Sequence, residues 1–142
     1  MSIKVRISSK IHPTESKEKV LSAIKNIISP EKIEKITEET ETTDWEIVIE
    51  GHIGILGEFK RKIAIRKIRD LVRQFLYRNR VGNRTCILLN KQAAFAKNVN
   101  LCENRNDSPL GPITIEILGD NEEDIEIAIA WLTENEYNAL SI

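Results

Sequence analysis

Three segments of this chain alternate apolar and polar residues with period two, each placing branched aliphatic side chains on one side. Residues 3–11 read IKVRISSKI, with Ile3, Val5 and Ile7 set against Lys4 and Arg6. In DWEIVIE, Trp45, Ile47 and Ile49 alternate with Glu46, Val48 and Glu50, and further on Ile113, Ile115 and Ile117 repeat the pattern. Period two with a single apolar face predicts half-buried strands. Such strands need a sheet with one covered face, and helices must supply the cover.

Segments of helical spacing lie between the strands. In HPTESKEKVLSAIKNIISP, Ser16 is a candidate N-cap, Val20, Leu21, Ile24, Ile27 and Ile28 form the apolar stripe, and Pro30 closes the element. Residues 31–43 are acidic and fit either an edge strand or a short helix and loop. Gly51, Gly54 and Gly57 mark turns. VGNRTCILLN predicts a turn and a strand over Thr85–Leu89, and NKQAAFAKNVNL a further extended piece. In SPLGP, Pro109 suits the second position of a type I turn closed by Gly111. The last helix follows, capped by Asp120 or Asn121, with Ile125, Ala128, Ile129 and Leu132 inward; the tail EYNALSI would dock or fray.

The order β-α-β-(α)α-β-β-β-α does not alternate strictly. It predicts an α+β fold in two layers, with helices packed on a mostly antiparallel sheet. At 142 residues, 41% hydrophobic and 30% charged, the chain fits one domain, residues 1–142, with a single core.

The segment KRKIAIRKIRDLVRQFLYRNR, residues 60–80, concentrates the charge. Residues 58–84 hold ten Lys or Arg against Glu58 and Asp70, while residues 31–50 hold eight acids against Lys32 and Lys35. The formal net charge of −1 therefore hides two opposed poles. On a helical wheel Ala64, Ile65, Ile68, Leu71, Val72, Phe75 and Leu76 share one arc. Lys62, Arg66, Arg69 and Arg73 share the opposite arc, and Arg80 returns to it. Phe59 and Ile63 fit this wheel poorly, which places a break or a second short helix near Ile63–Ile65. Guanidinium groups one to two turns apart match the phosphates of a nucleic-acid backbone. Tyr77, beside the ridge, could stack a base. Two other readings stay open: the poles pair with each other or with an acidic protein partner, within the chain or across a homodimer, or the ridge is a solvated face.

Other chemistries find little footing. Cys86 and Cys102 form no CxxC pair and His12 and His52 lie far from them in sequence, so no metal is expected. There is no P-loop, GxGxxG or GxSxG motif, and no cofactor or catalytic residue is assigned. No apolar run approaches a membrane span, and the cytoplasm is the expected compartment.

HPTESKEKV, GNRTCILLNKQAAF and SPLGPI resemble an archaeal family of small uncharacterised proteins described as predicted RNA-binding, similar to the predicted exosome-associated RNA-binding subunit. The resemblance spans nearly the whole chain. It implies a fold like that of the ribosomal protein that binds 5S rRNA. Its most specific pieces are Pro109-Leu110-Gly111-Pro112 and the run Asn90, Lys91, Gln92, Ala93, Ala94 and Phe95. There Lys91 could carry charge to RNA and the amides could read bases or phosphates, or the whole run could be structural. The expected RNA contacts are Lys62, Arg66, Arg69, Arg73 and Arg80, with Arg84, Lys91 and Tyr77 as secondary ones.

Overall fold

The alternating segments pair as neighbours in one sheet. The computed structural model describes residues 3–41 and 44–134; the tail EYNALSI lies outside them. Strands β1 (Lys4–Ile11), β2 (Lys35–Glu41), β3 (Asp44–His52), β4 (Arg84–Leu89), β5 (Leu101–Cys102) and β6 (Ile113–Leu118) lie in the order β2-β3-β1-β6-β4-β5. Every neighbouring pair is antiparallel. Within the ambiguous acidic segment, Lys35–Glu41 is thus an edge strand, and charged residues on an edge discourage further pairing.

Among the described residues five α-helices join the sheet: α1 (Lys17–Lys25), α2 (Gly57–Ile65), α3 (Arg69–Arg78), α4 (Lys91–Phe95) and α5 (Glu122–Thr133). Ser16 caps α1 and Asn121 caps α5, each accepting a backbone N–H of the first turn. The covered face carries Val5, Ile7, Ile47, Ile49, Ile87, Ile115 and Ile117, all buried with Val20, Ile24, Phe59, Val72, Leu76 and Ile125 of the helices. The other face carries a row of alternating charge, Lys35, Glu50, Arg6 and Glu116, set by register across four strands.

Four local readings are corrected. Helix α1 stops at Asn26, and Pro30 opens a separate 3₁₀ turn instead of closing the helix, although Ile27 and Ile28 are buried as expected. NKQAAF is not extended: Asn90 accepts the Ala93 N–H at 3.0 Å and starts α4, and only Leu101–Cys102 pairs as strand. The turn Ser108–Gly111 places Leu110 at φ 66°, the left-handed third position of a type II turn rather than type I. The break in the basic segment falls after Ile65, between α2 and α3. There Ile68 N–H bonds Ile63 O and Lys67 N–H bonds Ala64 O, a Schellman motif with Lys67 at φ 59°. The break resets the helix phase. Phe59 and Ile63 turn inward, whereas Ile65 and Leu71, expected inside, are exposed.

The three motifs that carry the family resemblance meet at one buried ammonium. Lys91 is fully buried, and its Nζ donates to Lys10 O at 2.8 Å, Leu110 O at 2.8 Å and Glu15 Oε1 at 3.1 Å. Three acceptors match the three donors of an ammonium. Glu15 is held in turn by the His12 N–H at 2.8 Å. Lys91 N–H donates to Ser108 Oγ, which donates to Gly111 O, and Ser9 Oγ donates to Pro112 O. One cation thus joins the end of β1, the entry to α1, the start of α4 and the turn before β6. Removing one partner of a buried pair leaves the other charge uncompensated, at a cost of about 3–5 kcal/mol. Lys91→Met should lose about that much in urea unfolding; a loss no larger than that of a surface substitution would refute the role.

Candidate nucleic-acid interface

The expected cationic ridge does not lie on the outer side of one helix. Its α3 members face α5. Arg73 Nε donates to Thr133 Oγ1 at 3.0 Å and its terminal nitrogen to Thr133 O at 2.8 Å, covering carbonyls at the end of α5. Arg69 reaches Glu134 O at 3.4 Å. Arg80 pairs with Glu126 and donates to Glu122 O at 3.1 Å, and Tyr77 OH donates to Glu126 at 2.8 Å. The basic segment therefore does pair within the chain, but with α5 rather than with the acidic pole. Within that pole, the described partners are Lys17 for Glu38 and His52 for Glu34.

The remaining expected residues scatter. Arg84 sits at the start of β4 on the open sheet face, 3.8 Å from Glu116. Lys91 is the buried ammonium described above and presents no surface to RNA. Asn90 caps α4, Ala94 is buried, Ala93 and Phe95 are partly buried, and Gln92 is exposed. NKQAAF is a packing and capping element, apart from Gln92.

A different group of cations is brought together at the α2–α3 corner. Lys62 Nζ donates to Lys97 O at 2.8 Å, so the end of α2 abuts the end of α4. Asn26, the C-cap of α1, donates to Ala94 O at 3.0 Å and so brings a third helix end to α4. Lys97 lies just past α4 at φ 65°, in the same Schellman geometry as Lys67: Lys97 N–H bonds Ala94 O and Asn98 N–H bonds Ala93 O. Arg66, Lys67 and Lys97 are exposed and make no ion pair among the described residues. Sequence reasoning missed Lys67 and Lys97 because both are set by how helices end, not by wheel position. The signal available was a lysine following each helical run where glycine is the usual stop.

A family model described as RNA binding matches residues 4–118. The chain is 34% identical over 131 residues to a UPF0201 protein of Sulfurisphaera tokodaii, covering 92% of this chain and 86% of that one. The chain belongs to the UPF0201 family. A second member, from Methanopyrus kandleri, is 35% identical over 136 residues, covering 93% and 85% of the two chains. The crystal structure of a UPF0201 protein from Methanococcus jannaschii superposes with a TM-score of 0.77 at 32% identity, covering 92% of this chain and 98% of that one. The family resemblance read from HPTESKEKV, NKQAAF and SPLGPI is borne out, and so is the α+β fold. The RNA-binding description is that of the family model. None of the described helices is long and apolar enough to cross a membrane.

The α3–α5 clasp gives this UPF0201 chain a pH signature. The Tyr77 hydroxyl and Arg80 hold Glu126 below the usual carboxylate range, and the bond to Glu126 raises Tyr77 above its ordinary value of 10.0. A lowered acid stabilises the fold above its unfolded pKa, and that contribution is lost as pH falls through the folded pKa. A raised tyrosine stabilises the fold below its unfolded pKa, and that contribution is lost as pH rises through the folded one. Urea midpoints followed above about pH 9 should therefore decline less steeply in Tyr77→Phe than in the native chain. Parallel declines would show that Tyr77 does not couple to α5.

Proposed function

We propose that this chain binds RNA non-catalytically, through phosphate contacts at the corner formed by Lys62, Arg66, Lys67 and Lys97. The family-level description supports RNA as the ligand class. The placement of the cations supports the corner. Arg69 and Arg73 of α3, and Arg80 just past its end, are engaged with α5, so using them for RNA would cost those bonds. The corner cations Arg66, Lys67 and Lys97 have no such engagement.

The observation that carries the proposal is the backbone under Lys67 and Lys97. Both occupy left-handed φ, which costs a side-chain-bearing residue roughly 1–2 kcal/mol and glycine nothing. Helix C-termini favour nearby cations by only about 0.3–1 kcal/mol. Cation placement at the helix ends therefore offsets only part of that strain. Local strain of this kind collects at binding sites.

Three phosphate contacts predict a log–log salt slope near −2 for single strands and near −3 for duplex. Affinity should then fall roughly fifteen- to fortyfold between about 50 and 200 mM salt. In Arg66→Ala/Lys67→Gly/Lys97→Gly, RNA affinity should drop and the slope flatten, while stability to urea rises by about 1 kcal/mol or more. Unchanged RNA binding by this variant would remove the corner from the account. A salt-sensitive homodimer with no RNA affinity would instead favour the protein-partner reading.

A further inference from the structure

The open face of the sheet is not bare along its whole length. The connection from β5 to β6 runs through a 3₁₀ turn (Arg105–Asp107) and the Ser108–Gly111 turn. Residues of this connection and of the strands line a cleft of about 440 Å³. Its floor is Ser8 of β1 and Thr114 of β6, which face each other in register. Lys10 and Glu46, directly opposite on β1 and β3, form one side. Arg105 and Pro109 form the other.

Two properties mark this cleft. Its polar side chains are uncommitted: the side chains of Ser8, Lys10, Glu46, Arg105 and Thr114 make no hydrogen bond or ion pair within hydrogen-bonding range among the described residues. Its walls, by contrast, are fixed from behind. The buried Lys91 ammonium holds Lys10 O and Leu110 O, and Ser9 Oγ holds Pro112 O at 3.2 Å. The wall also carries backbone strain, with Leu110 at φ 66°. Uncommitted polar groups that converge on a preorganised, strained wall describe a ligand site better than a packing defect.

The chemistry of the lining narrows the ligand. Two permanent cations face one carboxylate, so the site favours an anion that also offers hydrogen-bond donors. A lysine and an arginine suit a phosphate group. Glu46 can only accept, and therefore seeks N–H groups. A nucleotide supplies both. We infer that the cleft binds one nucleotide, free or at a strand end, with its phosphate at Lys10 and Arg105 and its base edge at Glu46. The choice of a nucleotide over other phosphate esters rests on the RNA-binding reading of the family. Guanine fits best, because its N1–H and N2–H donors lie parallel and match both carboxylate oxygens, whereas uracil offers a single donor on that edge.

Amide chemical-shift titration of the full chain tests this with guanosine, adenosine, cytidine and uridine 5′-monophosphates, ribose 5-phosphate and inorganic phosphate. The guanosine nucleotide should move the amides of Ser8, Lys10, Arg105 and Thr114 and bind most tightly, with the uridine nucleotide weakest. Lys10→Ala/Arg105→Ala removes two exposed, uncommitted side chains and so leaves the fold intact; it should weaken every nucleotide at least tenfold. Glu46→Gln should keep phosphate affinity and lose the preference for guanine. The inference is overturned if no nucleotide shifts these amides at about 5 mM, near the weakest affinity a site of this kind supports. It is equally overturned if inorganic phosphate binds as well as the nucleotides. A 5′-phosphorylated oligonucleotide separates this inference from the corner proposal. Oligonucleotide binding that depends on Lys67 and Lys97, with mononucleotides silent, sinks the cleft alone. Mononucleotide binding without oligonucleotide binding sinks the corner alone.

Discussion

The Lys91 ammonium is the interaction on which the layout depends. Burying a lysine is costly, and burial here pulls its pKa down against the opposing pull of Glu15. The cost is met because every donor has an acceptor, and the acceptors come from segments far apart in sequence. Lys10 and Leu110 are separated by most of the chain, yet their carbonyls share one Nζ. The result is a fixed junction between the end of β1, the entry to α1, the start of α4 and the turn that feeds β6. Such a junction specifies how the segments meet, because few alternative arrangements would satisfy all three donors at once.

The same economy divides the basic residues into two populations. Arg69 and Arg73 of α3 cover carbonyls at the end of α5, and Arg80, just past α3, pairs with Glu126. Arg66, Lys67 and Lys97, at the ends of α2 and α4, make no ion pair among the described residues. The Schellman break at Arg66–Ile68 produces this division. Were residues 57–78 one continuous helix, Lys62 and Arg73 would share a face. With the break, Lys62 bonds Lys97 O while Arg73 bonds Thr133. A count of charges on a wheel cannot see this, because a wheel assumes a constant phase.

Much of the fold was nevertheless legible. The strands at Ile3–Ile7, Trp45–Ile49 and Ile113–Ile117 announce themselves through period two, since burial of one face leaves no other pattern stable. The caps at Ser16 and Asn121 follow from side-chain oxygens placed ahead of helical spacing. What escaped depends on contacts distant in sequence. NKQAAF reads as extended until Asn90 is seen to cap a helix that Lys91 anchors in the core. Lys91 reads equally as an RNA contact or a structural residue until Glu15, Lys10 and Leu110 are brought around it. Ile65 and Leu71 read as core until the break turns them outward. The open-face cleft had no sequence signature, because Lys10, Glu46 and Arg105 come together only through strand register and the path of a loop.

Lysine footprinting reads the buried Lys91 and the exposed Lys67 and Lys97 together. The native chain is acetylated under limiting reagent with and without RNA at low salt, and each lysine is scored by mass spectrometry. Lys91 should stay unreactive in both states, as a buried structural cation. Lys67 and Lys97 should react freely alone and be protected by RNA, while Lys4 and Lys19, elsewhere on the surface, should not change. Ready acetylation of Lys91 in the folded chain, or Lys67 and Lys97 equally reactive with and without bound RNA, would contradict the assignment.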